Sequence, residues 1–387
     1  MHLETKLVQT GVGRDENTGA INFPVYFATA YRHPGMGQST GFDYTRTANP
    51  TRAILEEAIA TAESGDSGFA CASGMAAIHT VMGLFSQGDH VLVSLDLYGG
   101  TYRLFEQVLT RYGLAFTYVD LRDASAVRTA IRSQTRAIFV ETPTNPLMQI
   151  TDIRLIAQIA KEHGLLTIVD NTFMTPYCQR PLELGADIVL HSGTKYLGGH
   201  NDVLAGLIVS KGAELSEKLK FLHNTIGAVL GPQDSWLLIR GLKTLALRME
   251  RHQANAWAVA QRLKDHAAVA EVFYPGLQDH TGYLTQLEQA SGFSGMVSFR
   301  VRSAEQVPVI LQNLQVISFA ESLGGVESLC TYPATQTHAD IPQEIRAYVG
   351  VCDRLLRLSV GIEHPDDLIE DLTLALDASL VAGGTVR

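Results

Sequence analysis

The sequence predicts an α/β protein: a mostly parallel, seven-stranded sheet with helices on both faces, followed by a smaller α+β C-terminal domain. Three observations carry that expectation. Seven short apolar runs recur between about residues 65 and 210, at 68–72, 91–95, 116–120, 137–140, 166–170, 188–191 and 204–209. Amphipathic stretches separate them, and strand–helix alternation of this kind builds parallel sheets covered on both sides. The composition is that of a globular chain: 387 residues, 46% hydrophobic and 18% charged, enough for two domains.

Taken in order, residues 1–50 are rich in Gly, Thr, Asn and Pro with little periodicity, and read as an extended arm. Residues 51–245 hold the seven runs. Between two of them, Ile153, Ile156, Ala157 and Ala160 repeat at helical spacing within 152–163, and Gly164 follows as a stop. A long helical pattern starts near Ser235 and runs past Leu263, bridging to residues 246–387, where short strands are expected at 296–301 and 355–360. The net charge of −10 and pI near 5.7 argue against nucleic acid or an anionic membrane as partner. No apolar run is long enough to span a bilayer and the first residues lack a signal core, so a cytoplasmic protein is expected. The four cysteines are scattered and the 13 histidines show no ligand spacing, so neither a disulfide framework nor a metal site is expected.

The chemistry concentrates at strand ends. Ser192, Gly193, Thr194 and Lys195 follow the run at 188–191. A lysine there can reach an aldehyde while the neighbouring hydroxyls bind a phosphate, and burial would keep its amine nucleophilic. That pattern suits a Schiff base with pyridoxal 5′-phosphate (PLP), although a surface lysine in a glycine-rich loop would look similar. Asp170 closes the run at 166–170, where a carboxylate could pair with a pyridinium nitrogen. Otherwise it would cap a helix or turn. Gly74 and Met75, after Ser73, open a helix whose N-terminus could approach the phosphate. Tyr98 could stack on a cofactor ring or simply pack in the core. Asn145 sits in a Pro-rich turn that would form regardless of function. Four of these elements lie at strand carboxyl ends and the fifth opens a following helix, where ligands bind in open α/β sheets.

Together these motifs resemble the Cys/Met-metabolism PLP-dependent enzymes, which share the type I, aspartate aminotransferase-like fold; the likeness runs from Thr5 to about Leu376. It implies that Lys195 carries PLP, that Asp170 pairs with the ring nitrogen and that Tyr98 stacks on the ring and assists proton transfers. Gly74, Met75, Ser192 and Thr194 would bind the phosphate. Tyr44 and Arg46 match the family motif that reaches the neighbouring subunit's phosphate site, implying a homo-oligomer, a dimer of active-site-sharing dimers. Arg357 matches the arginine that captures the substrate α-carboxylate, with Asn145 and Ser322 beside it.

Within the family, Glu321 stands where cystathionine synthases and γ-lyases carry a Glu near the distal amino group of cystathionine. Gly100 stands where methionine γ-lyases have a reactive Cys. Residues 96–106 look most like cystathionine γ-synthases of Gram-positive bacteria that also act as O-acetylhomoserine thiol-lyases. Thr47 replaces a second arginine found in synthases that use succinyl esters, which favours an acetyl ester. The resemblance therefore implies γ-replacement on O-acetylhomoserine by cysteine or sulfide, in methionine biosynthesis. Cystathionine γ- or β-lyase activity is the alternative, and a non-catalytic PLP-binding protein a remote one.

Overall fold

The computed structural model describes residues 1–339 and 341–383. Seven strands form the large sheet: β1 (Ser67–Cys71), β2 (His90–Ser94), β3 (Ala115–Val119), β4 (Thr135–Glu141), β5 (Leu166–Asp170), β6 (Ile188–Ser192) and β7 (Gly206–Ser210), in the order β1-β7-β6-β5-β4-β2-β3. Only β7 runs against its neighbours β1 and β6. Each strand falls on a predicted apolar run, and the packing shows why they are apolar. In β4, Ile138 and Val140 enter one core, while Ala137 and Phe139 enter the core on the opposite face. The helices Pro50–Glu63 and Ile153–Glu162 cover the first face, through Leu55, Ile59 and Ile156. The helix Gly74–Met82 covers the second, through Ile78, Val81 and Met82. Neither face is left to water, so alternation with polar residues is absent.

Five further strands form a second sheet: β8 (Val269–Phe273), β9 (Met296–Val301), β10 (Ser318–Phe319), β11 (Leu329–Thr331) and β12 (Leu355–Ser359), ordered β10-β11-β12-β9-β8. Its core gathers Val259, Phe299, Leu356, Leu358 and Leu372.

Local readings differ from the structure in three places. The 1–50 stretch contains a helix, Leu3–Val8, six residues long; one and a half turns are too short to show a period. The pattern from Ser235 is two helices, Pro232–Leu242 and Leu245–Lys264. The buried Arg248 guanidinium donates to Gly241 O at 2.7 Å, capping the first helix where the second begins. The last strand of the large sheet starts at Gly206, because Ala205 bonds Thr194 through both its N–H and its carbonyl, leaving Leu204 61% exposed. Among the described residues no helix is long and apolar enough to cross a membrane.

Candidate active site

The carboxyl ends of β1, β2, β4, β5 and β6 converge on a cavity of about 280 Å³, closed on its other side by the 321–323 loop and Arg357 of β12. Lys195 follows β6 in a tight loop, held by Gly199 N donating to Lys195 O (2.8 Å) and Arg248 Nη1 donating to Tyr196 O (2.6 Å). Its Nζ donates to Ser322 Oγ at 3.0 Å. Burial, aided by the Arg357 charge and opposed by Glu321, brings the lysine pKa down to about 8. Ser322 is held at φ +111°, a strained backbone for a side-chain-bearing residue.

Asp170 ends β5. Thr172 donates to its Oδ1 through both N–H (3.0 Å) and hydroxyl (2.5 Å), while Oδ2 has no partner among the described residues. Burial raises its pKa against those two bonds and the His191 charge. Ser73 caps the Gly74–Met82 helix, accepting from Ala76 N at 3.1 Å. A Cβ at Gly74 would lie 3.1 Å from Ser192 Cβ, so a larger residue here would push this helix end and β6 apart by a few tenths of an ångström. Tyr98 donates its backbone N–H to Glu141 Oε2 (3.1 Å). A Cβ at Gly100 would lie 2.4 Å from the Tyr98 ring.

Arg357 is 1% exposed. Its Nη1 donates to Asn145 Oδ1 (2.9 Å), and its Nη2 to Ser322 O (3.0 Å) and Thr331 Oγ1 (3.2 Å). The buried Nε has no partner, and no carboxylate forms an ion pair with the guanidinium among the described residues. A buried cation held only by neutral acceptors leaves its charge uncompensated until an anion arrives. Glu321 lines the same cavity, exposed, with no hydrogen bond or ion pair among the described residues.

The cavity thus brings together eleven of the residues singled out in the sequence: Gly74, Met75, Tyr98, Asn145, Asp170, Ser192, Thr194, Lys195, Glu321, Ser322 and Arg357. Tyr44 and Arg46 lie elsewhere on the chain. The Arg46 guanidinium sits 5.7 Å from the Tyr44 ring centroid and donates to Asn224 O at 2.6 Å. Sequence reasoning missed Glu141, Thr172 and His338, which hold site residues rather than matching a motif. His338 is buried, with Nε2 3.0 Å from Asn145 O. The only available signal for Glu141 and Thr172 was adjacency to strand ends already of interest.

The model of the Cys/Met metabolism PLP-dependent enzymes matches residues 4–377. The chain belongs to that family. A cystathionine γ-synthase/O-acetylhomoserine (thiol)-lyase of Bacillus subtilis (strain 168) is 59% identical over 97% of this chain and 96% of its own length. A cystathionine β-lyase of Lactococcus lactis subsp. cremoris (strain MG1363) is 51% identical, over 97% and 99%. The solved cystathionine γ-lyase of Lactobacillus plantarum, complexed with L-serine, superposes with a TM-score of 0.96 at 50% identity, covering 98% of this chain and all of that one. This chain is therefore a PLP-dependent enzyme of cystathionine metabolism. The cavity fits the cofactor: it offers a partly neutral lysine amine, a carboxylate oxygen without a partner among the described residues, and a helix N-terminus opened by a glycine.

Proposed function

We propose that the enzyme displaces acetate from Cγ of O-acetylhomoserine, breaking the Cγ–O bond and forming a Cγ–S bond to cysteine, giving cystathionine, or to sulfide, giving homocysteine. Bound PLP supplies an electron sink for the carbanion formed at the substrate Cα. Asp170 Oδ2 would hold the proton of the ring nitrogen, and Tyr98 would stack on the ring. Gly74 and Met75 N–H groups and the Ser192 and Thr194 hydroxyls would hold the phosphate, with Tyr44 and Arg46 of a second copy completing the site. Arg357 takes the substrate α-carboxylate, and Asn145 and Ser322 fix the guanidinium plane. Lys195 Nζ removes the Cα proton and then moves a proton at Cβ, with Tyr98 assisting. At a pKa of about 8, part of the Lys195 amine is free at neutral pH.

One observation carries the choice of cystathionine chemistry: Glu321, a carboxylate without a partner in the described chain, facing the cavity that holds Lys195. It suits the distal ammonium of cystathionine and is of no use to sulfide. Replacement rather than elimination is supported by the 59%-identical relative named for synthase and thiol-lyase activities. Cystathionine cleavage is the second reading, supported by the β-lyase and γ-lyase relatives. Purified enzyme given O-acetylhomoserine plus cysteine, and separately cystathionine alone, decides between them. Faster turnover of cystathionine than of the ester would overturn the synthase reading.

A further inference from the structure

Glu141 ends β4 in the floor of the cavity and is used in none of the steps above. In-register pairing sets it directly against Asp170 of β5, so both side chains leave the sheet on the same face. The Glu141 residue is only 6% exposed, and each carboxyl oxygen accepts one backbone N–H: Oε2 from Tyr98 at 3.1 Å, Oε1 from Asn145 at 2.9 Å. Those amides belong to different loops, after β2 and β4. One loop carries the ring set to stack on the cofactor; the other carries the amide that holds Arg357. Among the described residues no lysine or arginine forms an ion pair with Glu141.

The charges that act on it most strongly are of its own sign. Asp170 and Asp96 act on it as like charges, and burial and both carboxylates push its pKa well up. Lys195, Arg357 and Tyr98 line the same cavity. Burying a second carboxyl beside Asp170 without a cation is costly, and two amide contacts that an asparagine or serine cap could supply do not account for it. A cationic guest in the cavity would.

We infer that Glu141 is a positioning residue of the cofactor site: it ties the Tyr98 and Asn145 loops to one carboxyl group and, with Asp170, forms a paired-carboxyl floor whose second charge is favoured when a cationic form of the cofactor is bound. The inference rests on the proposed placement of PLP against Asp170 and Tyr98. Glutamine at this position keeps the size, removes the charge and can accept from only one of the two N–H groups, presenting a donor to the other.

The test uses full-length Glu141→Gln, Glu141→Ala and Asp170→Asn. It measures PLP affinity by titration of apo-protein, the pH midpoint of the cofactor's visible band, and the thermal midpoint of the apo-protein. Glu141→Gln should weaken PLP binding by roughly tenfold, the equivalent of about 1.4 kcal/mol. The band's pH midpoint should fall by about one unit, because a nearby negative charge stabilises a protonated cofactor. The apo-protein's thermal midpoint should hold, because a carboxyl whose pKa is pushed up carries little charge in the empty site. Glu141→Ala should weaken PLP binding at least as much, since it loses both amide contacts. The inference is overturned if affinity and band are unchanged in Glu141→Gln, or if any loss of affinity tracks a loss of apo-protein stability. Asp170→Asn separates the two levels. If it shifts the band while Glu141→Gln does not, only the Glu141 role fails; if neither shifts it, the placement of PLP fails with it.

Discussion

Replacing Arg357 by lysine keeps the charge and removes the fork. Among the described residues the guanidinium makes three hydrogen bonds, to Asn145, Ser322 and Thr331, from a side chain that is almost wholly buried. Burial brings its pKa down to about 10, so it stays cationic at neutral pH. Lysine offers a point charge on a flexible stem, which cannot hold Asn145 and Ser322 while presenting two parallel N–H groups to a planar carboxylate. Losing one charge-assisted hydrogen bond costs about 1.5–3 kcal/mol, so KM for an amino-acid substrate should rise roughly 10- to 150-fold. The PLP visible band should be unchanged, because no contact assigned to the cofactor is altered. Steady-state kinetics with cystathionine and with O-acetylhomoserine plus cysteine, at matched PLP content and with thermal midpoints recorded, make the measurement. A KM within threefold of wild type on fully loaded enzyme would refute carboxylate capture by Arg357. A loss explained by reduced stability would assign the residue to packing instead.

With Lys195 in its proposed role, covalent reloading of apo-enzyme with PLP would need its free amine, so the rate should rise with pH to a midpoint near 8; a midpoint near the ordinary lysine value of roughly 10.4 would contradict the buried setting. The same lowered pKa means the unfolded chain binds the extra proton between those two values, so apo-protein stability from this group should increase as pH climbs through that window. Glu321→Ala should raise KM for cysteine or cystathionine roughly 5- to 150-fold, for about 1–3 kcal/mol of partly desolvated ion pairing, and leave sulfide reactions nearly untouched. Equal losses for all three would remove the substrate contact. Arg46→Ala should weaken PLP binding, and mixing it with Lys195→Ala subunits should regenerate activity, since one site of a hybrid dimer is intact; hybrids that form yet stay inactive would return Arg46 to its own subunit's site.

The positions of the seven strands were legible because their cause is local. Each is a short run apolar on both faces, punctuated by glycine, proline or a capping residue such as Asp152, whose Oδ1 accepts from Leu155 N at 3.0 Å. Lys195 and Asp170 could be singled out for the same reason: strand ends and the residues just beyond them are read from adjacent positions. What adjacency cannot encode was decided by the tertiary fold. Arg357 meets Asn145 only because β12 of the second sheet faces the loop after β4. Glu141 became significant only when strand register set it beside Asp170. The break between Leu242 and Leu245 depends on Arg248 reaching back to Gly241, and the strained Ser322 on its place between Lys195 and Arg357. Periodicity reports which face of an element is buried; it carries no record of which distant element covers that face. Contacts between remote side chains, and the shifts in charge they produce, therefore exist only once the two sheets have packed.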